Sequence, residues 1–248
     1  MVRHYFLTLY DHLGQAVLLN LIWVISAFPW IALGSVVSWT AAAAGDVLGH
    51  SFLAGVGFVA AAGLILLSPP TLFLFVTAHH WVHEGQGGIR GAWVMTRRLA
   101  WRAQAGGVLT TLVVTLLLGN ALFYQTWTGW LGLALSGVMI WITLGVMLTG
   151  MLLFPVLVDN PDLTLFGAIR YCVLLVLDNL RRCVLIALAT TLCLLAGAVS
   201  GVGLALGALP ATALVVTLGL TAMLQRYGGR AVVRDSRGLR DLLRPWQA

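Results

Sequence analysis

The chain has 248 residues, of which 60% are hydrophobic and only 9% charged, and its mean hydropathy is +0.97. A soluble domain carries about 25% charged residues, so this chain has too little charge to coat a water-facing surface. Soluble enzymes, disordered regulators and secreted disulfide scaffolds are excluded, and an integral membrane protein remains.

All 14 basic residues are arginine, and the net charge is +6. The absence of lysine beside abundant Ala, Gly and Leu is the usage of a GC-rich bacterial genome. In a membrane chain a basic balance first reports topology and anionic lipid, not nucleic acid. Cys172, Cys183 and Cys193 form no CxxC pair and read as small apolar packing residues in a reduced setting.

The elements follow in chain order. Phe6, Leu9, Tyr10 and Leu13 recur at helical spacing and predict an interfacial amphipathic helix. A spanning helix needs about 20 mostly apolar residues, and the first such windows are about 16–39 and about 51–78. A signal peptide is disfavoured, because the first apolar run is longer than a signal h-region and contains Pro29. Next comes a second amphipathic segment, with Ile89, Trp93, Thr96 and Ala100 on one stripe and Arg90, Arg97, Arg98 and Arg102 beside it. The third and fourth windows are about 106–124 and about 129–154. The stretch Leu163 to Leu180 is apolar but short and carries Arg170, so it reads as an elbow helix. The fifth and sixth windows, about 183–200 and about 205–225, flank a turn at Gly201 and Gly203. Residues 226–248 form a basic tail, where Leu239, Leu242, Leu243 and Trp246 make a third stripe beside Arg237, Arg240 and Arg244.

The arginines supply an independent check. One precedes span one, four lie between spans two and three, three between four and five, and six follow span six. The connections after spans one, three and five carry none. The positive-inside bias then makes the arginine side and both termini cytoplasmic. The expected fold is all-α: a polytopic bundle of six transmembrane helices with interfacial amphipathic helices on its inner face, in a bacterial cytoplasmic membrane.

The opening FLTLYDHLGQAVLLNLIWVISAFPWIALGS, with Asn20, Trp23 and Pro29, resembles the start of the YesL-like bacterial membrane proteins. The stretches FPVLVDNPDLTLFGAIRYCVLLVLDNLRRCVLIALATTL and LPATALVVTLGLTAML are similar to that family's second half. The chain departs from the family where Ile31-Ala32-Leu33-Gly34 follows the first proline, and about 35 further residues precede Pro69. The resemblance implies an accessory role beside a sugar-uptake system and no set reaction.

Chemistry is sparse. His79 and His83 are spaced i,i+4, as are His80 and Glu84, so one helix face can present two imidazoles. The order is not HExxH, and a metal would need a further ligand from elsewhere. No metal or other cofactor is therefore assigned, and His79, His83 and Glu84 stand as the candidate ligands. There is no GxSxG elbow, no phosphate loop and no lysine, so the chain is read as a non-enzyme. No Asp, Glu, Lys or Arg lies inside a span, which disfavours ion-coupled transport. Asn20 is expected to pack inward as a clasp, because its amide needs a partner. Pro69-Pro70 removes two adjacent backbone donors and predicts a kinked or broken span two. Gly197/Gly201 and Gly203/Gly207 fit small-residue helix packing. Trp39, Trp127 and Trp130 are placed at one membrane boundary, and Trp81, Trp93 and Trp101 at the other.

The leading functional expectation is a non-catalytic membrane accessory. Its arginine-rich cytoplasmic face would dock anionic phospholipid, a membrane-protein partner or a second copy. The face comprises Arg90, Arg97, Arg98, Arg102, Arg181, Arg182, Arg237, Arg240 and Arg244. A small transporter of a neutral or amphipathic solute, using a helix break at Pro69-Pro70, is the alternative. A membrane-embedded enzyme is the third reading.

Overall fold

The computed structural model describes residues 2–84, 89–127, 129–200 and 207–228. Among them every regular element is helical. By length and composition five helices suffice to cross a membrane, or six if one bent pair counts as a single span. The basic tail beyond residue 228, with Arg237, Arg240, Arg244 and the third apolar stripe, lies outside the described residues, as do Gly201 and Gly203.

Helix α1 (Val2–Asp11) leads through His12 into α2 (Leu13–Leu48). At about 1.5 Å per residue, the 36 residues of α2 reach about 54 Å, well beyond an apolar bilayer core of about 30 Å. Gly49 closes α2 in the left-handed conformation, at φ 68°, and its N–H bonds back to Gly45. Helices α3 (Phe52–Leu66) and α4 (Pro69–His83) then return beside α2 as a bent pair. Helix α5 (Ile89–Gln125) and α6 (Trp130–Asp159) make a second hairpin. The elbow is the separate α7 (Leu165–Asp178), started by Thr164, whose hydroxyl accepts from the Gly167 N–H at 3.2 Å. Helices α8 (Leu180–Ser200) and α9 (Ala208–Leu224) complete the fold, and a single 3-10 turn (Gln225–Tyr227) follows.

Two expectations are corrected. The amphipathic segment from Ile89 is not a separate interfacial helix, because it runs into the third span without a break. Its buried stripe is Ala92, Thr96, Leu99 and Ala103, while Trp93 is exposed. Nothing between Ile89 and Gln125 stops a helix; the pair Gly106-Gly107 lies mid-helix and serves close packing instead. Trp81 is not a boundary residue either. It is 3% exposed, stacks flat on His12 with centroids 4.9 Å apart, and donates to Gln15 Oε1 at 3.0 Å. The other boundary tryptophans, Trp39, Trp101, Trp127 and Trp130, are exposed as expected.

In lipid no hydrophobic force holds helices together, so close packing must. Gly34, Ala41 and Gly45 of α2 meet Gly57, Ala61 and Leu53 on and beside α3. Gly106 and Gly150 hold α5 against α6 through Leu153 and Thr110. At the bend, Leu67 closes α3 on Gly63, and Ser68 Oγ donates to the Ile65 carbonyl at 2.7 Å. Pro69 and Pro70 occupy the first turn of α4, where a missing N–H costs nothing. The two helices differ in direction by 49°. The Leu67 carbonyl faces Gly107 of α5 so closely that any side chain there would collide with it.

The bend directs α4 into the middle of the molecule. Leu72, Leu74, Val76, Ala78 and Val82 are buried there. They form one core with Leu152 to Val158 of α6 and with Leu214, Leu220 and Met223 of α9. Gly207 rests on the Ala16 backbone and Thr221 reaches His83, so α9 passes obliquely across the α2–α4 pair. Asn20 is buried, as expected of an inward clasp. The buried hydroxyls of Thr77, Thr217 and Thr221 return to carbonyls four residues back and need no partner across helices. On the outside, Ile25, Phe28, Phe58 and Trp141 are exposed, as lipid-facing side chains are.

Overpacking a close contact costs about 1–3 kcal/mol. Gly107→Val is therefore expected to lower the unfolding temperature in detergent, whereas Gly119→Ala, in open space, leaves it unchanged. Differential scanning fluorimetry of both variants checks this. Equal melting of the two would remove the Leu67–Gly107 contact from its central place.

Candidate functional site

Polar groups gather at one end of the bundle. The start of α5, the end of α4, the end of α6 and the loop into α7 meet there. The α2–α3 turn, with Asp46 and His50, lies at the opposite end of its hairpin. The two ends of that hairpin thus differ in their polar groups.

The last turn of α4 points two pairs in two directions. His80 Nδ1 lies 2.8 Å from Glu84 Oε2, on the side facing α5. His79 and His83 lie on the other side, with ring centroids 4.4 Å apart. There they meet Asp159, the last residue of α6, and one ligand atom from each of the three lies within 4.8 Å of the others. Glu84 is thus committed to His80, and the third group beside the histidine pair is Asp159, which the sequence reading missed. Asn160 Nδ2 donates to Asp159 Oδ2 at 3.1 Å, and Thr221 Oγ1 is 3.4 Å from His83 Nε2. An i,i+4 pair shows in sequence, but a carboxylate 76 positions later shows no spacing to it.

The arginines divide into two groups. Arg102 Nη1 donates to the carbonyls of Pro161 at 2.7 Å and Leu163 at 3.1 Å, tying α5 to the α6–α7 loop. Arg182 Nη1 donates to the Ala222 carbonyl at 3.2 Å, tying α8 to α9. These two were expected on a docking face; both serve as internal clamps. Arg98 pairs with Asp162 at 3.2 Å, with both groups well exposed, so the pair is weak. Arg90, Arg97 and Arg181 are exposed.

No protein-family model, curated relative or solved structure matches the chain. Function has to be read from these side chains.

His80, Arg90 and Arg98, with Gly91, Val94, Met95 and Pro161, line a groove of about 590 Å³ between α4, α5 and the α6–α7 loop. The lining thus combines two arginines and a histidine with mainly apolar surface. A second, mostly apolar groove of about 410 Å³ lies along α5 from Trp101 to Leu112, with Gln104 in its lining. Neither Pro69 nor Pro70 lines either groove, and Pro70 is buried. The cysteines are free; Cys172 and Cys183 are buried, and burial pushes the Cys172 thiol up to about 12, which leaves it unreactive.

The joint between α1 and α2 is expected to respond to pH. Burial lowers the pKa of His12 from its ordinary 6.5, against weaker opposite pulls from Asp11 and Gln15. The unfolded chain takes up a proton near pH 6.5 while the folded chain resists it. Stability is then full above that pH and falls as pH drops below it. Thermal unfolding from about pH 7.5 to about pH 5.5 should show a smaller loss in His12→Phe, which keeps the stack on Trp81 without the charge. Parallel curves for the two proteins would refute this.

The clamp is tested separately. Hydrogen bonds from a charged donor contribute about 1.5–3 kcal/mol, so Arg102→Ala should melt earlier, and Arg97→Ala, exposed, should match the wild type. Guanidinium titration in mild detergent compares them.

Proposed function

We propose that the chain is a non-catalytic membrane accessory protein that docks anionic phospholipid headgroups at its arginine-bearing end. The groove of His80, Arg90 and Arg98 carries this reading. A phosphate needs fixed cationic donors, and the glycerol and first acyl carbons need an apolar floor. Val94 and Met95 supply the floor. Basic pockets beside membrane helices are the usual form of headgroup sites. The Arg98–Asp162 pair is exposed and weak, so a phosphate can displace Asp162.

The proposal includes orientation. With the arginine end in the cytoplasm, the groove faces the leaflet side where the positive-inside bias places it. The arginine-only composition supports a bacterial cytoplasmic membrane. The resemblance to YesL-like proteins supports an accessory place beside a solute-uptake system. Under this proposal the bend at Pro69-Pro70 is a packing device: the Ile65 carbonyl, which Pro69 has no N–H to serve, accepts from the Ser68 hydroxyl instead.

Each basic group near an anionic surface contributes about 1 kcal/mol, roughly fivefold in affinity. The double variant Arg90→Gln/Arg98→Gln in nanodiscs of mixed zwitterionic and anionic lipid should lose more than about fivefold of its retained anionic lipid. Native mass spectrometry reads the retained lipid. Undiminished anionic enrichment in that variant would reject the headgroup groove.

A further inference from the structure

We propose that His79, His83 and Asp159 form a binding site for one divalent transition-metal ion of the zinc class, pinning α4 to α6. The site does not depend on the lipid groove, which uses the opposite side of α4.

Three observations converge. The first is the donor set. Two imidazoles and one carboxylate, from two helices, bring three ligand atoms within 4.8 Å of one another. Tetrahedral bonds of about 2.0–2.2 Å place ligand atoms about 3.4 Å apart, so side-chain rotation of about an ångström closes the set. The second is support around the donors. Asn160 holds one oxygen of Asp159 at 3.1 Å, the kind of outer contact that fixes a ligating carboxylate. His83 is further placed by the Thr221 hydroxyl at 3.4 Å. The third is the field. Helices α4 and α6 both end here, at His83 and Asp159, so the negative ends of two helix dipoles converge on the cluster.

The chemistry selects the ion class. Calcium and magnesium take oxygen ligands, which two imidazoles are not. Copper(I) selects sulfur ligands, and neither Cys172 nor Cys183 joins the cluster. Nitrogen with one carboxylate suits zinc and its divalent neighbours, and three protein ligands leave a fourth position for water.

The test uses the full chain in detergent, purified through a tag without histidine and stripped with chelator. Equilibrium dialysis against Zn²⁺ with elemental analysis should find one ion per chain. His83→Gln and Asp159→Asn should each weaken binding by more than about 100-fold, since loss of even an outer contact costs 10–100-fold. Glu84→Gln should bind as the wild type does, because Glu84 faces His80. A second measurement needs no variant: Co²⁺ added to the wild type should give the visible spectrum of a four-coordinate site, abolished by Zn²⁺. Zinc at the detergent blank, a Co²⁺ spectrum like that of the free ion, or Glu84→Gln abolishing binding while Asp159→Asn retains it would each overturn the site.

Discussion

The arrangement of the whole molecule depends on one close approach, the Leu67 carbonyl against Gly107. A continuous helix from Phe52 to His83 would stay alongside α2 and leave the bundle without a centre. The pair Pro69-Pro70 forbids that continuity, and Gly107 gives the resulting bend somewhere to go. Helix α4 then enters the middle, where nearly every one of its apolar side chains is enclosed. Because lipid offers apolar side chains as good a solvent as protein does, this enclosure is held by shape and by local hydrogen bonds. The same bend sets the rotation of α4. That rotation sends His79 and His83 towards α6 and His80 towards α5.

A second constraint is the scarcity of charge. With so few ionised groups, several of those described have a visible assignment. Arg102 and Arg182 satisfy carbonyls that helix ends and loops leave without partners, at the loop after α6 and near the end of α9. Glu84 is held by His80, and Asp162 by Arg98. Exposed arginines lie around the groove, on α7 and α8, and in the closing 3-10 turn. A basic face and a set of internal clamps are thus built from the same residue type, and only contact partners tell them apart.

The helical class and the positions of the apolar windows were legible because hydropathy reads the solvent directly. The separate elbow helix was legible too, since Arg170 and its short length interrupt the pattern. The extent of the helices was not. Hydropathy falls at Arg97, Arg98 and Arg102, yet a helix does not stop at charge, and α5 continues through it. Trp81 looked like a boundary residue because composition alone places tryptophan there; its burial depends on His12 and Gln15 from another helix. The role of Asp159 was hidden for the same reason. Its meaning comes from where α6 ends relative to α4, which no local spacing encodes.

The uninterrupted course of α5 has a mechanical consequence. From Arg102 to Gln125 it is a straight measure of about 34 Å at 1.5 Å per residue. At its Arg102 end it is fastened, because Arg102 is bonded to two loop carbonyls and is not at liberty to extend along the helix towards water. A helix with a free terminal arginine adapts to a thicker or thinner bilayer by moving that side chain. Arg102 is withdrawn from that adjustment, which falls instead to the exposed Arg97 and Arg98 a turn earlier and to the lipid itself.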